Sequence, residues 1–306
     1  MTSARALAAC ALLACACAAS ARSPEAFAFG VMGDVPYSER EETAFLRMVE
    51  RVNAQRLAFV VHIGDIKDGA SPCTDALYAR RKAQFDASRH PFIYTPGDNE
   101  WTDCRYGRGA LADPIDRLAR VRRVFFDTPT SLGRRRIATA VQEAYPENRL
   151  WMHGRVVFVT LNVPGSDNNV GYDAANDDEA RERDAANARW LRRAVDEALA
   201  GSAAALVVFI QANPWQTERQ PRAYAPFLAC LTQAARRFAK PVLFVHGDTH
   251  TFRVDWPLVD ASGPVANVTR LETYGSPFVG WVRVTVDPAD PQPFRIEGKL
   301  QALVAP

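Results

Sequence analysis

The sequence predicts an α/β domain: a parallel sheet with covering helices, closing in an all-β segment. Three observations predict it. Short apolar, β-branched runs alternate with stretches whose apolar residues recur at helical spacing. Five acidic or His-bearing clusters punctuate the chain: Gly33-Asp34, Gly64-Asp65-Ile66-Lys67-Asp68, Gly97-Asp98-Asn99-Glu100, Asn213-Pro214-Trp215 and His246-Gly247-Asp248-Thr249-His250. Four of them directly follow an apolar run, and α/β proteins bind ligands outside the carboxyl ends of their strands. Beyond His250 the helical spacing gives out.

Each element follows in order. Phe27 to Met32 reads as a strand running into Gly33-Asp34. Glu39 to Asn53 carries Phe45, Met48, Val49 and Val52 at helical spacing and is a helix. Leu57 to Ile63 is a buried strand, Asp75 to Ser88 a helix, and Pro91 to Thr95 a strand into Pro96-Gly97-Asp98. This repeated βα order argues a parallel sheet covered by helices. Asp113-Pro114, in N-cap and N1 positions, opens a helix to Phe126. Residues 127–149 read as loop plus a short strand, with Arg134-Arg135-Arg136 as solvated loop charge. Arg155 to Asn162 is a strand, the Gly/Asp/Asn-rich run 165–180 a loop, and Asp178 to Leu199 a long helix. Ala205 to Gln211 is a strand, Tyr224 to Ala239 a helix, and Pro241 to Val245 a strand. Strands over 251–257, 266–273, 279–287 and 293–301 complete the chain. The pattern gives one α/β domain in which two sheets pack between helices.

Bulk properties narrow the function. The chain has 306 residues, 48% hydrophobic and 24% charged, as expected of a globular protein. A net charge of +2 gives no case for general attraction to nucleic acid or to a membrane surface. The first residues are a different material: Arg5, an apolar Ala/Leu/Cys stretch from Ala6 to Ala19, then Ala19-Ser20-Ala21. This reads as a secretory signal over 1–21 and is too short to span a bilayer. Leu12-Leu13-Ala14-Cys15 also fits a lipoprotein signal, which would leave a lipidated Cys15 as first residue. The expected location is therefore secreted or periplasmic, with lipid anchoring as the alternative, and no later segment could cross a membrane. Export permits disulfides. Cys73 and Cys104 each follow an acidic cluster, so if those clusters meet, a Cys73–Cys104 bridge is expected. Cys230 reads as a buried free thiol in a helix.

In order and spacing, from about residue 27 to 285, the clusters resemble the calcineurin-like metallophosphoesterases, in a divergent, His-poor secreted branch. That family carries D-x-H, GDxxD, GNH[DE], a lone His often before Pro, and GHxH at the strand ends of a βαβαβ scaffold. The resemblance implies a four-layer α/β/β/α sandwich of two packed mixed sheets over residues 22–306. It implies two divalent metal ions and hydrolysis of a phosphate mono- or diester by a metal-activated water. Several family histidines are replaced: by Pro36 in the first motif, by Asn99 in the third, by Asn213 or Gln211 in the fourth, and by Asp248 in the fifth. The family Asn before the third-motif His falls on Asp98. Carried over position by position, Asp34, Asp65 and His250 would hold one ion. Asp65, Asp98, Asp248 and Asn213 or Gln211 would hold the other. An oxygen-rich set favours Mg²⁺, Mn²⁺ or Ca²⁺ over Zn²⁺ or iron.

Asn99, in the place of the proton-donating His, can donate a hydrogen bond but cannot give up a proton. His246 and His62 are then the proton-donor candidates, with His62, inside an apolar strand, better read as structural. Lys67, Arg105 and Arg108 follow the second and third clusters and are candidates for contact with substrate phosphate, or else solvated loop charges. Asp68 and Glu100 read as loop-holding residues, and Tyr37 and Trp101 as pocket walls or packing. The leading expectation is an exported metallophosphoesterase acting on a small phosphate ester. The alternative is a non-catalytic binder on the same scaffold. Near-neutral charge gives a nuclease reading little support.

Overall fold

The computed structural model describes residues 25–108 and 111–301; the leader expected over 1–21 lies outside the described residues. Among these, no helix is long and apolar enough to cross a membrane.

The chain begins with β1 (Phe27–Met32), α1 (Glu39–Asn53), β2 (Val60–His62), α2 (Asp75–Asp86) and β3 (Phe92–Tyr94). Ser38 caps α1 and Thr74 caps α2, each accepting a first-turn N–H on its hydroxyl. A 3-10 turn (Thr102–Tyr106) leads to α3 (Pro114–Phe125), capped by Asp113 with Pro114 in the first turn, as the Asp-Pro pair predicts. Then come β4 (Ala140–Gln142), β5 (Tyr145–His153) and β6 (Val156–Thr160). The run expected as loop plus a short strand thus holds β4 and the first five residues of the nine-residue β5. A single turn, α4 (Gly165–Asn168), is left-handed at Ser166 and Asp167. It is followed by α5 (Ala174–Ala200), capped by Asp173 and so four residues longer at its start than the apolar spacing suggests. The rest is β7 (Ala205–Phe209), α6 (Ala225–Phe238), β8 (Val242–His246), β9 (Arg253–Asp255), β10 (Val259–Asp260), β11 (Gly263–Pro264), β12 (Val268–Glu272), β13 (Gly280–Val286) and β14 (Phe294–Leu300).

Two mixed sheets form. One runs β14-β13-β1-β2-β3, the other β4-β5-β6-β7-β8-β12-β9, and β10 and β11 make a separate hairpin. β1, β2 and β3 are parallel, as are β6, β7, β8 and β12. Side-chain alternation assigns the layers. Phe29, Val31, Val61 and Ile63 of the first sheet pack on Phe158, Val207 and Val245 of the second. Met32 and Val60 face the other way, onto Phe45 and Met48 of α1 and Phe85 of α2. Val208 and Phe244 face Leu191 of α5 and Leu231 of α6. The result is an α/β/β/α sandwich, matching the expected fold class. The loops leaving the parallel strands carry every acidic cluster named above.

Candidate metal and phosphate site

Asp34, Asp65, Asp98 and Asp248 leave the ends of β1, β2, β3 and β8; the first three are buried and Asp248 is half-buried. Asp248 donates its backbone N–H to Asp34 Oδ1 at 3.1 Å, and His250 Nε2 lies 3.8 Å from the same oxygen. Tyr37 O–H donates to Asp65 Oδ2 at 2.8 Å and stands 3.4 Å from His250 Nε2. Asn99 donates twice to Asp65, through its backbone N–H at 3.1 Å and through Nδ2 at 2.7 Å. Ser166 O–H donates to Asp98 Oδ2 at 3.0 Å and to Asp103 at 2.6 Å. Four distant stretches of chain thus meet at one point: 34–37, 65–103, 165–166 and 248–250.

The backbone is bent to make this meeting. Asp34, Asp65, Asp248 and His250 all have positive φ, at 55, 58, 77 and 59°. Non-glycine residues hold this left-handed region at a cost of about 1–3 kcal/mol each, and such strain clusters at functional sites. Two glycines make room. A Cβ on Gly97 would collide with the Asp65 carboxylate. A Cβ on Gly165 would stand 2.7 Å from Asp98 Oδ1 and 2.8 Å from Asp248 Oδ1. Behind the cluster, Glu100 accepts the N–H of Asp65 at 2.9 Å and the Tyr94 hydroxyl at 2.6 Å. Burial raises all four aspartyl pKa values, Asp248 to about 7. Mutual repulsion adds to burial: Asp248 acts on Asp34, and Asp98, Glu100 and Asp34 act on Asp65.

This is a concentration of negative charge with one buried cation, Lys67, beside it among the described residues. Asp34 Oδ2 and Asp98 Oδ1 are buried and have no hydrogen-bond partner among the described residues. A hard divalent cation would answer both the repulsion and the orphaned oxygens, so the donor chemistry fits one. Among the described residues, however, no group of three or more His, Cys, Asp or Glu side chains is arranged to hold a metal ion.

Several candidates lie elsewhere than the sequence suggests. His246 does not join the aspartates. Its ring packs on Phe244 and Trp215, burial pushes its pKa down to about 3, and it is therefore uncharged at neutral pH. Asn213 turns its side chain away, giving Nδ2 to Thr249 at 3.0 Å and accepting Trp215 N–H at 3.2 Å, and it meets Asp248 Oδ2 through its backbone N–H at 2.8 Å. Gln211 takes the inward place, its amide counteracting the pKa rise at Asp34 and Asp248 while Oε1 accepts Gly165 N–H at 2.6 Å. Lys67 is buried beside the cluster and feels Glu100 and Asp65, with Nζ donating to Asp68 O at 2.8 Å. Arg105 lies 3.3 Å over the Tyr172 ring and donates to Asn169, clasping neighbouring loops. Arg108 is exposed. His62 is structural, buried with Nε2 at 3.1 Å from Val35 O. Cys73 and Cys104 form a disulfide joining the loops after β2 and β3, and Cys230 is a free, half-buried thiol.

Neither a family model nor a curated protein sequence matches this chain. Solved structures do resemble it. GAP50, the anchor in the inner membrane complex of Plasmodium, aligns over 90% of this chain and 89% of its own at 12% identity and TM-score 0.48. A novel phosphatase from Mycoplasma pneumoniae aligns over 90% and 93% at 11% identity and TM-score 0.48. Vacuolar Protein Sorting 29 from Cryptosporidium parvum aligns over 90% and 97% at 11% identity and TM-score 0.34.

Proposed function

We propose that this chain is an exported, metal-dependent phosphoesterase that hydrolyses a phosphate mono- or diester. One observation carries the reading: three buried aspartates and the half-buried Asp248 gather at the parallel-strand ends, with Asp34 Oδ2 and Asp98 Oδ1 unpartnered among the described residues. In this reading Asp34, Asp65 and His250 hold one divalent ion and Asp65, Asp98 and Asp248 a second. Oxygen donors favour Mg²⁺, Mn²⁺ or Ca²⁺. Ions bound there would polarise a phosphoryl oxygen and lower the pKa of a water.

The chain's own residues supply the rest. Asn99 Nδ2 donates to Asp65 Oδ2 at 2.7 Å and to the Tyr37 oxygen at 3.0 Å, and Tyr37 donates to the same Asp65 oxygen; with that carboxylate engaged by cations, these neutral donors would be freed to stabilise charge developing on the leaving oxygen. Burial and the neighbouring carboxylates raise the Tyr37 pKa, keeping its proton in place. Asn213 and Gln211 hold the loops that present Asp248 and Gly165, and Lys67, buried beside the carboxylates, is the cation that would meet an anionic part of the substrate. Export is read from residues 1–21, and the Cys73–Cys104 bridge is compatible with it.

The second reading, a non-catalytic binder, is favoured by the lack of a ready-made metal-holding group among the described residues and by an Asn where a proton donor is expected. Two measurements on the full chain separate them: anomalous scattering from ions at the strand ends, and turnover of nitrophenyl phosphate mono- and diesters across pH. The enzyme should show ions and turnover. No ion and no turnover at any pH would leave the binder.

A further inference from the structure

A cleft of about 520 Å³ opens beside the aspartates, and it shares a wall with them: Tyr37, whose hydroxyl donates to Asp65. Two helices start at this cleft, α1 at Ser38 and α2 at Thr74. Their dipoles favour an anion, with one first-turn N–H of each already taken by Ser38 or Thr74 and with Glu39, Glu41, Glu42 and Asp75 standing in the first turns. Lys67 also lines the cleft at 2% exposure, and its one hydrogen bond, to Asp68 O, engages one of three ammonium protons. Two of the cleft's acids are already engaged. Glu42 pairs with Arg80 at 3.3 Å and Arg81 at 3.0 Å. Asp68 accepts the N–H groups of Ala70 and Ser71, both at 3.0 Å, and the Ser71 hydroxyl. Glu39 stands exposed at the mouth.

We propose that this cleft takes a second anionic group of the substrate, so that the ester cleaved at the aspartates carries a carboxylate or further phosphate on its leaving-group side. The inference rests on the phosphoesterase reading and deepens it. The cleft's volume falls within the usual range for small-ligand pockets, and a buried ammonium supplies a charge-assisted bond that a neutral leaving group could not use.

Calorimetry on the full chain with Mn²⁺ tests this with two non-hydrolysable probes of equal length, propylphosphonate and 3-phosphonopropionate. The second should bind about tenfold tighter, the worth of one charge-assisted contact. Lys67→Met should abolish that advantage. Because Lys67 is buried, Ala76→Glu, which adds a carboxylate at an exposed position of the cleft wall, should abolish it independently. Equal affinities in the parent, or an advantage that survives in both variants, overturns the cleft assignment and leaves the phosphoesterase reading standing. Failure of both probes to bind overturns the two together.

Discussion

Gly165 shows how tightly the carboxylates are set. A methyl group there would press on one oxygen of Asp98 and one of Asp248. Gly165→Ala should therefore fill the gap a cation would enter, and Mn²⁺ affinity by calorimetry should fall while the far-ultraviolet dichroism stays unchanged. Asp65 accepts from Tyr37 and twice from Asn99, whereas Asp98 accepts from Ser166. Asp65→Asn should therefore cost more activity than Asp98→Asn; equal, mild losses in steady-state kinetics would contradict the shared role given to Asp65. Asn99→Ala should lower kcat by about 10²-fold, the usual cost of one donor to developing charge. The four aspartates were legible in the sequence because each directly follows a strand, so local order announces them. Tyr37 and Gln211 were legible as a pocket wall and as an alternative to Asn213, but Ser166 was not, because its partners Asp98 and Asp103 lie far away in sequence and only the closed fold supplies them. His246 is the instructive case. Val242 and Phe244 face the helices, so the two-residue period carries His246 to that face too, away from the layer that Leu243 and Val245 join.

At the scale of elements, helices were read better than what lies between them. Apolar spacing marked α1 and the Asp113-Pro114 pair marked the start of α3, while α5 begins at Asp173, in a polar stretch where a cap rather than a hydrophobic stripe sets the start. The turn at α4 had no local signature beyond its Gly, Ser, Asp and Asn residues. Four consecutive positions, Ser166 to Asn169, have φ from 47 to 66°. Such a run costs roughly 1–2 kcal/mol per residue and must be held from outside. Asp167 does much of the holding by accepting the N–H groups of Glu218, Arg219 and Gln220 at 2.8, 2.7 and 3.2 Å. Arg183 adds bonds to Asn168 Oδ1 at 2.6 Å and Asn168 O at 3.0 Å. Asp167→Ala should cost about 2 kcal/mol of stability in denaturant titration. It should also speed amide exchange selectively at residues 218–220, of which Glu218 adds to the repulsion felt by Asp248.

For the whole molecule, stability should trace the two kinds of buried titratable group. Burial lowers His62 and His246 to about 3, below their ordinary 6.5, so their contribution is present above about 6.5 and is lost as pH falls toward 3. The aspartates are raised, so theirs is present below about 4 and is lost as pH rises through the folded values, near 7 for Asp248. Between about 4 and 6.5 the two oppose each other; above 6.5 the carboxylates govern. In chelator, the melting temperature should thus fall as pH rises from 6.5 to 9, and Mn²⁺ should flatten that decline. A decline unaltered by Mn²⁺ would detach it from the aspartates. The Cys73–Cys104 bridge closes a loop of 31 residues, so its removal by paired Ser substitution should cost about 3–4 kcal/mol by the chain-entropy argument.

The pairing of β13 with β1 has a consequence in time. Phe27 lies opposite Val286, and Val31 opposite Val282. During synthesis the strand that ends at Asp34 emerges early and waits, one edge bare, until some 250 further residues have left the ribosome. Only then can the first sheet close around it. Such a long-range partnership makes assembly slow and leaves an unprotected edge for neighbouring chains to seize.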